Sequence, residues 1–132
     1  MIHSIMDRDF EQFLGGPNEP ASKRIHVTIS PNRVIRLNRN TYQLIGSPEA
    51  AYLGYSRKRD TIAIEPTSPR MNAAFPVMVE GAGFRINAAP FCRHFNISTD
   101  TTLKFARPGL QGKTLLLNLS ETISVRRKRK KK

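Results

Sequence analysis

The chain has 132 residues, with 22 Lys and Arg against 10 Asp and Glu, one cysteine and no tryptophan. A chain of this length can bury one hydrophobic core and not two independent ones, which excludes a multidomain enzyme. The single Cys92 excludes an internal disulfide and zinc sites built on paired cysteines, and it is typical of a reducing compartment. Because no segment has the roughly 18 consecutive apolar residues of a membrane span, we expect a cytoplasmic protein without a membrane partner. In a bacterium it would be nucleoid-associated, and in a eukaryote nuclear.

The net charge of +12 is unevenly distributed along the chain. Residues 126–132 are all Lys or Arg, and they supply more than half of it. Residues 23–39 hold five further bases and no acid. Such a local excess of positive charge concentrates polyanions and steers them to the surface. Nucleic acid, and duplex DNA in particular, is therefore the expected partner.

Residues 1–24 are predicted to form an N-terminal helix and a linker. The apolar side chains recur at the spacing of one helical face, and Gly15-Gly16-Pro17 ends the pattern. This face could pack on the core as a lid, or it could bind a protein partner. The candidate partner-binding residues are Ile2, Ile5, Met6, Phe10 and Phe13.

Residues 25–66 are predicted to form a ββαββ unit. Apolar residues alternate on both sides of Pro31-Asn32, which indicates a hairpin. Asn38 is suited to cap a short helix that ends at Gly46, and two more strands follow on either side of the turn at residues 57–60.

Residues 75–121 repeat this pattern after a linker at residues 67–74. The stretch 34–38 matches 83–87 at a constant offset of 49, which makes Asn87 the expected counterpart of Asn38. We expect residues 108–113 to be a turn and residues 122–132 to be a disordered basic tail. Neither repeat could bury enough surface alone, so the two should share one core in a pseudo-symmetric domain.

The stretches 29–66 and 79–119 each resemble the unit of the AbrB/MazE/SpoVT family of small DNA-binding proteins. The resemblance implies a mainly β fold with short helices, a swapped-hairpin β-barrel that this chain would build from its two tandem units. It also implies that DNA lies across basic residues of the first hairpin and its surroundings.

The candidate DNA-binding residues are arginines of the repeats and the basic tail. A guanidinium can pair with two phosphate oxygens or with guanine at once. The alternative is that the arginines of the strands are ordinary solvated residues, because any strand with one face in water carries charged side chains on that face. The full set is Lys23, Arg24, Arg33, Arg36, Arg39, Arg85, Arg126, Arg127, Lys128, Arg129, Lys130, Lys131 and Lys132.

The sequence contains no pattern that indicates a catalytic site, a metal site or a cofactor-binding site. Cys92 and His94 are two residues apart, a spacing that does not place two side chains on one helical face. The three histidines are scattered without metal-ligand spacing, and Gly81-Ala82-Gly83 precedes a strand, which is wrong for a phosphate-binding loop. We expect no enzyme activity and no cofactor.

Three functions are compatible with these features. The first is a DNA-binding protein of the transcription-regulator or nucleoid-associated kind, which contacts DNA through the first repeat and the tail. The second is an antitoxin-like or adaptor module that binds a protein through the N-terminal helix. The third is an RNA- or ribosome-binding protein. Either a monomer or a homodimer fits the two repeats, because exposed hairpin edges can pair.

Overall fold

A computed structural model describes residues 24–125, of which 44% lie in strands and 13% in helices. The prediction of a mainly β protein with short helices is confirmed. The predicted N-terminal helix and most of the basic tail lie outside the described residues. The elements are β1 (Val27–Ile29), β2 (Val34–Leu37), α1 (Arg39–Leu44), β3 (Ala50–Ser56), β4 (Thr61–Thr67), β5 (Phe75–Pro76), β6 (Met78–Glu80), β7 (Gly83–Asn87), α2 (Ala89–Phe95), β8 (Leu103–Phe105), β9 (Gly109–Gln111), β10 (Thr114–Asn118) and β11 (Thr122–Ser124).

The strands form two sheets and no closed barrel, so the predicted barrel is not present in residues 24–125. Sheet A has the order β11-β8-β1-β2-β7-β6, and sheet B has the order β5-β3-β4-β10-β9. Only Val77 separates β5 in sheet B from β6 in sheet A. The Val77 N–H still donates to the Glu49 carbonyl beside β3 at 2.9 Å, so the chain passes from sheet B to sheet A at this residue.

In each sheet, one of the contacts between the two repeats joins antiparallel strands that are equivalent in sequence. In sheet A, β2 pairs with β7 so that Arg36 faces Arg85, its counterpart at the offset of 49. In sheet B, β4 pairs with β10 around Ala63 and Leu116. A directly opposed pair of equivalent residues is what a local two-fold axis produces. We call these two places the sheet A junction and the sheet B junction.

The repeats also exchange strands. The third strand of the first repeat, β3, pairs with β5 of the second, and β8 of the second repeat pairs with β1 of the first. The inner faces of both sheets then contribute to one hydrophobic core. Ile35 and Ile86 come from the sheet A junction, and Ile62 and Leu117 from the sheet B junction, all fully buried. The prediction that the repeats share a core therefore agrees with the structure.

Three local predictions were wrong. Asn38 caps α1 as expected, since its side chain accepts a hydrogen bond from the Thr41 N–H, but Asn87 ends β7, and Ala88 precedes α2 without a side-chain cap. The predicted turn at residues 108–113 contains β9, whose backbone pairs with β10. Residues 122–124, assigned to the disordered tail, form β11 because they pair with β8. Within residues 24–125, neither helix is long and apolar enough to cross a membrane.

Candidate nucleic-acid interface

The outer face of sheet A carries a row of cross-strand neighbours with three cations. Lys104 on β8 faces Thr28 on β1, Thr28 faces Arg36 on β2, and Arg36 faces Arg85 on β7. Directly opposed residues in a sheet have Cβ atoms roughly 5 Å apart, so the row crosses about 15 Å of surface. We call Lys104, Arg36 and Arg85 the basic row. Met78 takes the next position, on the edge strand β6.

Glu80 joins the two arginines of the sheet A junction. The Arg36 Nε donates to Glu80 Oε1 at 2.7 Å, and its Nη2 donates to Oε2 at 3.4 Å. Arg85 Nη1 donates to the same Oε2 at 3.3 Å. The bond from Arg36 is the main cause that holds the Glu80 pKa below its ordinary value, so this carboxylate stays ionised at neutral pH. One negative charge thus holds two guanidiniums in place, and the cluster keeps a net positive charge.

A groove of about 230 Å³ lies beside this cluster on the same face. Gly83 belongs to its wall because β2 and β7 approach closely there: a Cβ added at Gly83 would lie 2.7 Å from the Leu37 carbonyl oxygen. The Phe84 ring stacks on Tyr42 of α1 at 3.6 Å between centroids and anchors the helix beside the groove. The lining residues are His26, Thr28, Arg36, Leu37, Asn38, Glu80, Gly83 and Phe84.

His26 is held at this groove by the cap of α1. Its backbone N–H donates to the Thr41 hydroxyl at 3.0 Å, and Thr41, which is fully buried, donates that hydroxyl to the Asn38 Oδ1. Asn38 Nδ2 donates to the Arg24 carbonyl at 2.6 Å. Partial burial of the ring, and then the nearby Lys104 ammonium, lower the pKa of His26. The imidazole is therefore neutral at pH 7 beside two cations of the basic row.

The predicted arginines of the first repeat do not share one surface. Arg36 lies on the outer face, and Arg39 is exposed at the first position of α1. Arg33 has a φ of 63° after the hairpin turn, and its carbonyl accepts from the Ala88 N–H at 3.0 Å, beside α2. Its side chain is half-buried, and the Nε has no hydrogen-bond partner among residues 24–125. Arg33 is thus directed to α2 and away from the basic row.

The other predicted site residues divide between the described and the masked parts of the chain. Arg85 lies in the basic row, and Arg24 is exposed near the cap of α1. Lys23 and the tail residues 126–132 lie outside the described residues, as do Ile2, Ile5, Met6, Phe10 and Phe13. Their predicted roles stay predictions.

Sequence reasoning missed His26, Thr28 and Lys104. Thr28 and Lys104 are 76 residues apart, and they meet only because β8 pairs with β1 of the other repeat. Alternation along β1 could have indicated His26 and Thr28, because it puts both on the polar side of the strand, but it gives no sign of Lys104.

The outer face of sheet B has a different surface. Its central row is Gly54, Ala63, Leu116 and Gly109, read across four strands. These uncharged residues line an open groove of about 440 Å³ whose lining also includes Arg59, Arg107 and Glu121. The basic turn at residues 57–59 is exposed, as a solvated turn would be.

The cysteine and histidine of α2 form no reactive pair. Cys92 is fully buried, and burial raises the pKa of its thiol against the opposing effect of Arg33. His94 is exposed and contacts the Phe95 ring edge-on. In the described part of the chain, no group of three or more His, Cys, Asp or Glu side chains could hold a metal ion.

Comparison of the chain with protein-family models, with curated proteins and with solved structures found no match in any of the three.

Proposed function

We propose that this protein binds duplex DNA through the outer face of sheet A, as a transcription-regulator-like or nucleoid-associated protein. The observation that carries the proposal is the sheet A junction, where Arg36 and Arg85 lie directly opposed on antiparallel strands. Lys104 extends the row of cations on one side.

Symmetry favours a duplex over a single strand. The two strands of DNA are related by local two-fold axes, and proteins with two-fold symmetry align with them. Arg36 and Arg85 occupy equivalent positions of the two repeats, and Glu80 holds their guanidiniums side by side for contact with phosphates. Guanidinium pairs with phosphate in a planar, bidentate geometry, which Lys104 can supplement as a point charge.

The overall charge supports the same partner. Residues 24–125 carry 13 Lys and Arg against 6 Asp and Glu, so the folded part is basic without the tail. The tail 126–132 adds seven cations, which bind phosphates without reading sequence. Arg24, whose carbonyl accepts from the groove-lining Asn38, is exposed beside the proposed surface and would extend it.

The exchange of strands between the repeats also supports the likeness to the AbrB/MazE/SpoVT family. In that family, two units interlock by exchanging hairpins. Here β3 pairs with β5 and β8 pairs with β1, each across the two repeats. We therefore propose that this chain contains in tandem the two units that the family usually supplies from two chains.

Binding of a fluorescent mixed-sequence duplex at several salt concentrations tests this function. Each phosphate neutralised by the protein contributes about −0.9 to the slope of log K against log salt, so affinity should fall steeply between about 50 and 200 mM salt. Removal of residues 126–132 should lower that slope by several units. Binding that does not change with salt would refute the proposal, and stronger competition by structured RNA than by duplex DNA would favour RNA instead.

A further inference from the structure

The groove on the sheet A face contains a titratable group that the proposed phosphate contacts do not use. His26 lies two residues before Thr28 on the strand side that faces outward, and both line the groove with Arg36. Lys104 faces Thr28 from β8, and Arg36 faces it from β2. His26 is therefore diagonal to both cations, at the roughly 7 Å distance of diagonal cross-strand neighbours.

The position of His26 is fixed by the backbone. Its N–H is bound by the buried Thr41 hydroxyl, and its carbonyl accepts from the Asn38 N–H at 3.1 Å. Thr41 and Asn38 are in turn joined in the cap of α1. The backbone of His26 is therefore fixed at the rim of the groove, and the residue is exposed, so that a ligand can reach it.

The charges around His26 disfavour a proton in the free protein. Lys104 on β8 repels an imidazolium, while Arg36 on β2 and Arg85 on β7 are paired with Glu80 on β6. A phosphate bound between Lys104 and Arg36, above the buried Thr28, would reverse this balance, because it would neutralise the Lys104 ammonium and attract a protonated ring. An opposite charge within about 4–6 Å favours the charged form of a titratable group.

We propose that His26 is a phosphate ligand of the sheet A face, which takes up a proton as duplex DNA binds, so that binding strengthens as the pH falls. The inference rests on the proposed function and adds one ligand and one linked proton to it. In the complex, the His26 imidazolium, the Lys104 ammonium and the Arg36 guanidinium would contact one phosphate group. A protonated imidazole can donate a hydrogen bond from either ring nitrogen.

A fall in pH should have opposite effects on the folding stability of the free protein and on its affinity for DNA. In the free protein the His26 pKa is lowered, so the unfolded chain takes up the proton first. Folding stability should therefore decrease as the pH falls below the unfolded value of about 6.5. Bound DNA should reverse the direction, since it raises the pKa of the ring.

Duplex affinity measured between pH 8 and 5.5 at constant salt tests the proposal. The full chain should bind more tightly at pH 5.5, by up to about tenfold for each unit that DNA raises the His26 pKa. His26→Gln should remove this dependence. The double variant H3Q/H94Q, which keeps His26 as the remaining histidine of the chain, should retain it.

NMR titration of the His26 ring, alone and with the duplex, gives an independent readout. The pKa of the ring should rise in the complex and stay unchanged on addition of an uncharged polymer. If His26→Gln binds duplex with the same pH profile as the full chain, the inference is wrong and the proposed function stands. If no duplex binds at any pH or salt, both are wrong.

Discussion

The two junctions between the repeats have similar inner sides and different outer sides. Inward, the sheet A junction buries Ile35 and Ile86, and the sheet B junction buries Ile62 and Leu117. Outward, the first presents Arg36 against Arg85, and the second presents Ala63 against Leu116. Strand pairing between the repeats thus builds the core at both places, while the outward residues of each junction decide the chemistry of its face.

The inner sides should be equally important for stability. Ile35→Ala and Leu117→Ala each remove a fully buried branched side chain, so each should cost about 2–5 kcal/mol of unfolding free energy. Urea denaturation measures this loss. Val79→Ala is the control, because that side chain is 73% exposed and its loss should change stability by less than about 0.5 kcal/mol. A large loss at only one junction would show that the two do not share a core.

Glycine substitutions should distinguish the two faces. A Cβ at Gly83 would meet the Leu37 carbonyl oxygen at 2.7 Å, and a Cβ at Gly54 would meet nothing within 4 Å. Gly83→Ala should therefore destabilise the protein by about 1–3 kcal/mol. Gly54→Ala should stabilise it by about 0.5–1 kcal/mol, because glycine weakens a strand. Equal thermal shifts for the two variants would contradict this account of the groove wall.

The helix caps should distinguish the two repeats. Asn38→Ala removes the acceptor for the Thr41 N–H and should cost about 1 kcal/mol, whereas Asn87→Ala should be close to neutral because Asn87 is exposed at the end of β7. Chemical denaturation of both variants measures the difference. A loss of the same size at Asn87 would mean that its side chain has a structural role after all.

The sequence predicted much of this framework because the relevant signals are local. The hairpin of β1 and β2 follows from alternation around Pro31-Asn32, and the start of α1 follows from Asn38. The offset of 49 between Arg36 and Arg85 is also visible in sequence, and it anticipates their direct pairing.

The remaining features depend on pairing between distant segments. β9 and β11 form because a partner strand offers them backbone hydrogen bonds, which no local pattern reveals. Glu80 reaches Arg36 across 44 residues, and Lys104 reaches the basic row through the strand exchange. Arg33 could not be placed from the sequence either: its carbonyl bonds to the Ala88 N–H, just before α2, and not to a residue near Arg36.

The acid at the sheet A junction should weaken DNA binding. Glu80→Gln removes the negative charge between Arg36 and Arg85 and should raise duplex affinity several-fold, about the effect of one more available cation. Glu65→Gln makes the same change at an exposed position of β4 in sheet B and should leave affinity nearly unchanged. Fluorescence anisotropy at about 0.15 M salt compares the two. Equal gains from both variants would mean that only the total charge matters.

The most direct test of the account removes three cations from one face at a time. The variant R36Q/R85Q/K104Q loses the basic row, and the variant K58Q/R59Q/R70Q loses the same charge at exposed positions elsewhere. Duplex binding at about 0.15 M salt should weaken roughly a hundredfold in the first variant, and its salt slope should fall by about two to three. The second variant should bind within a few-fold of the unmodified chain. Equal losses in the two variants, with both folded, would contradict the claim that the outer face of sheet A is the DNA-binding surface.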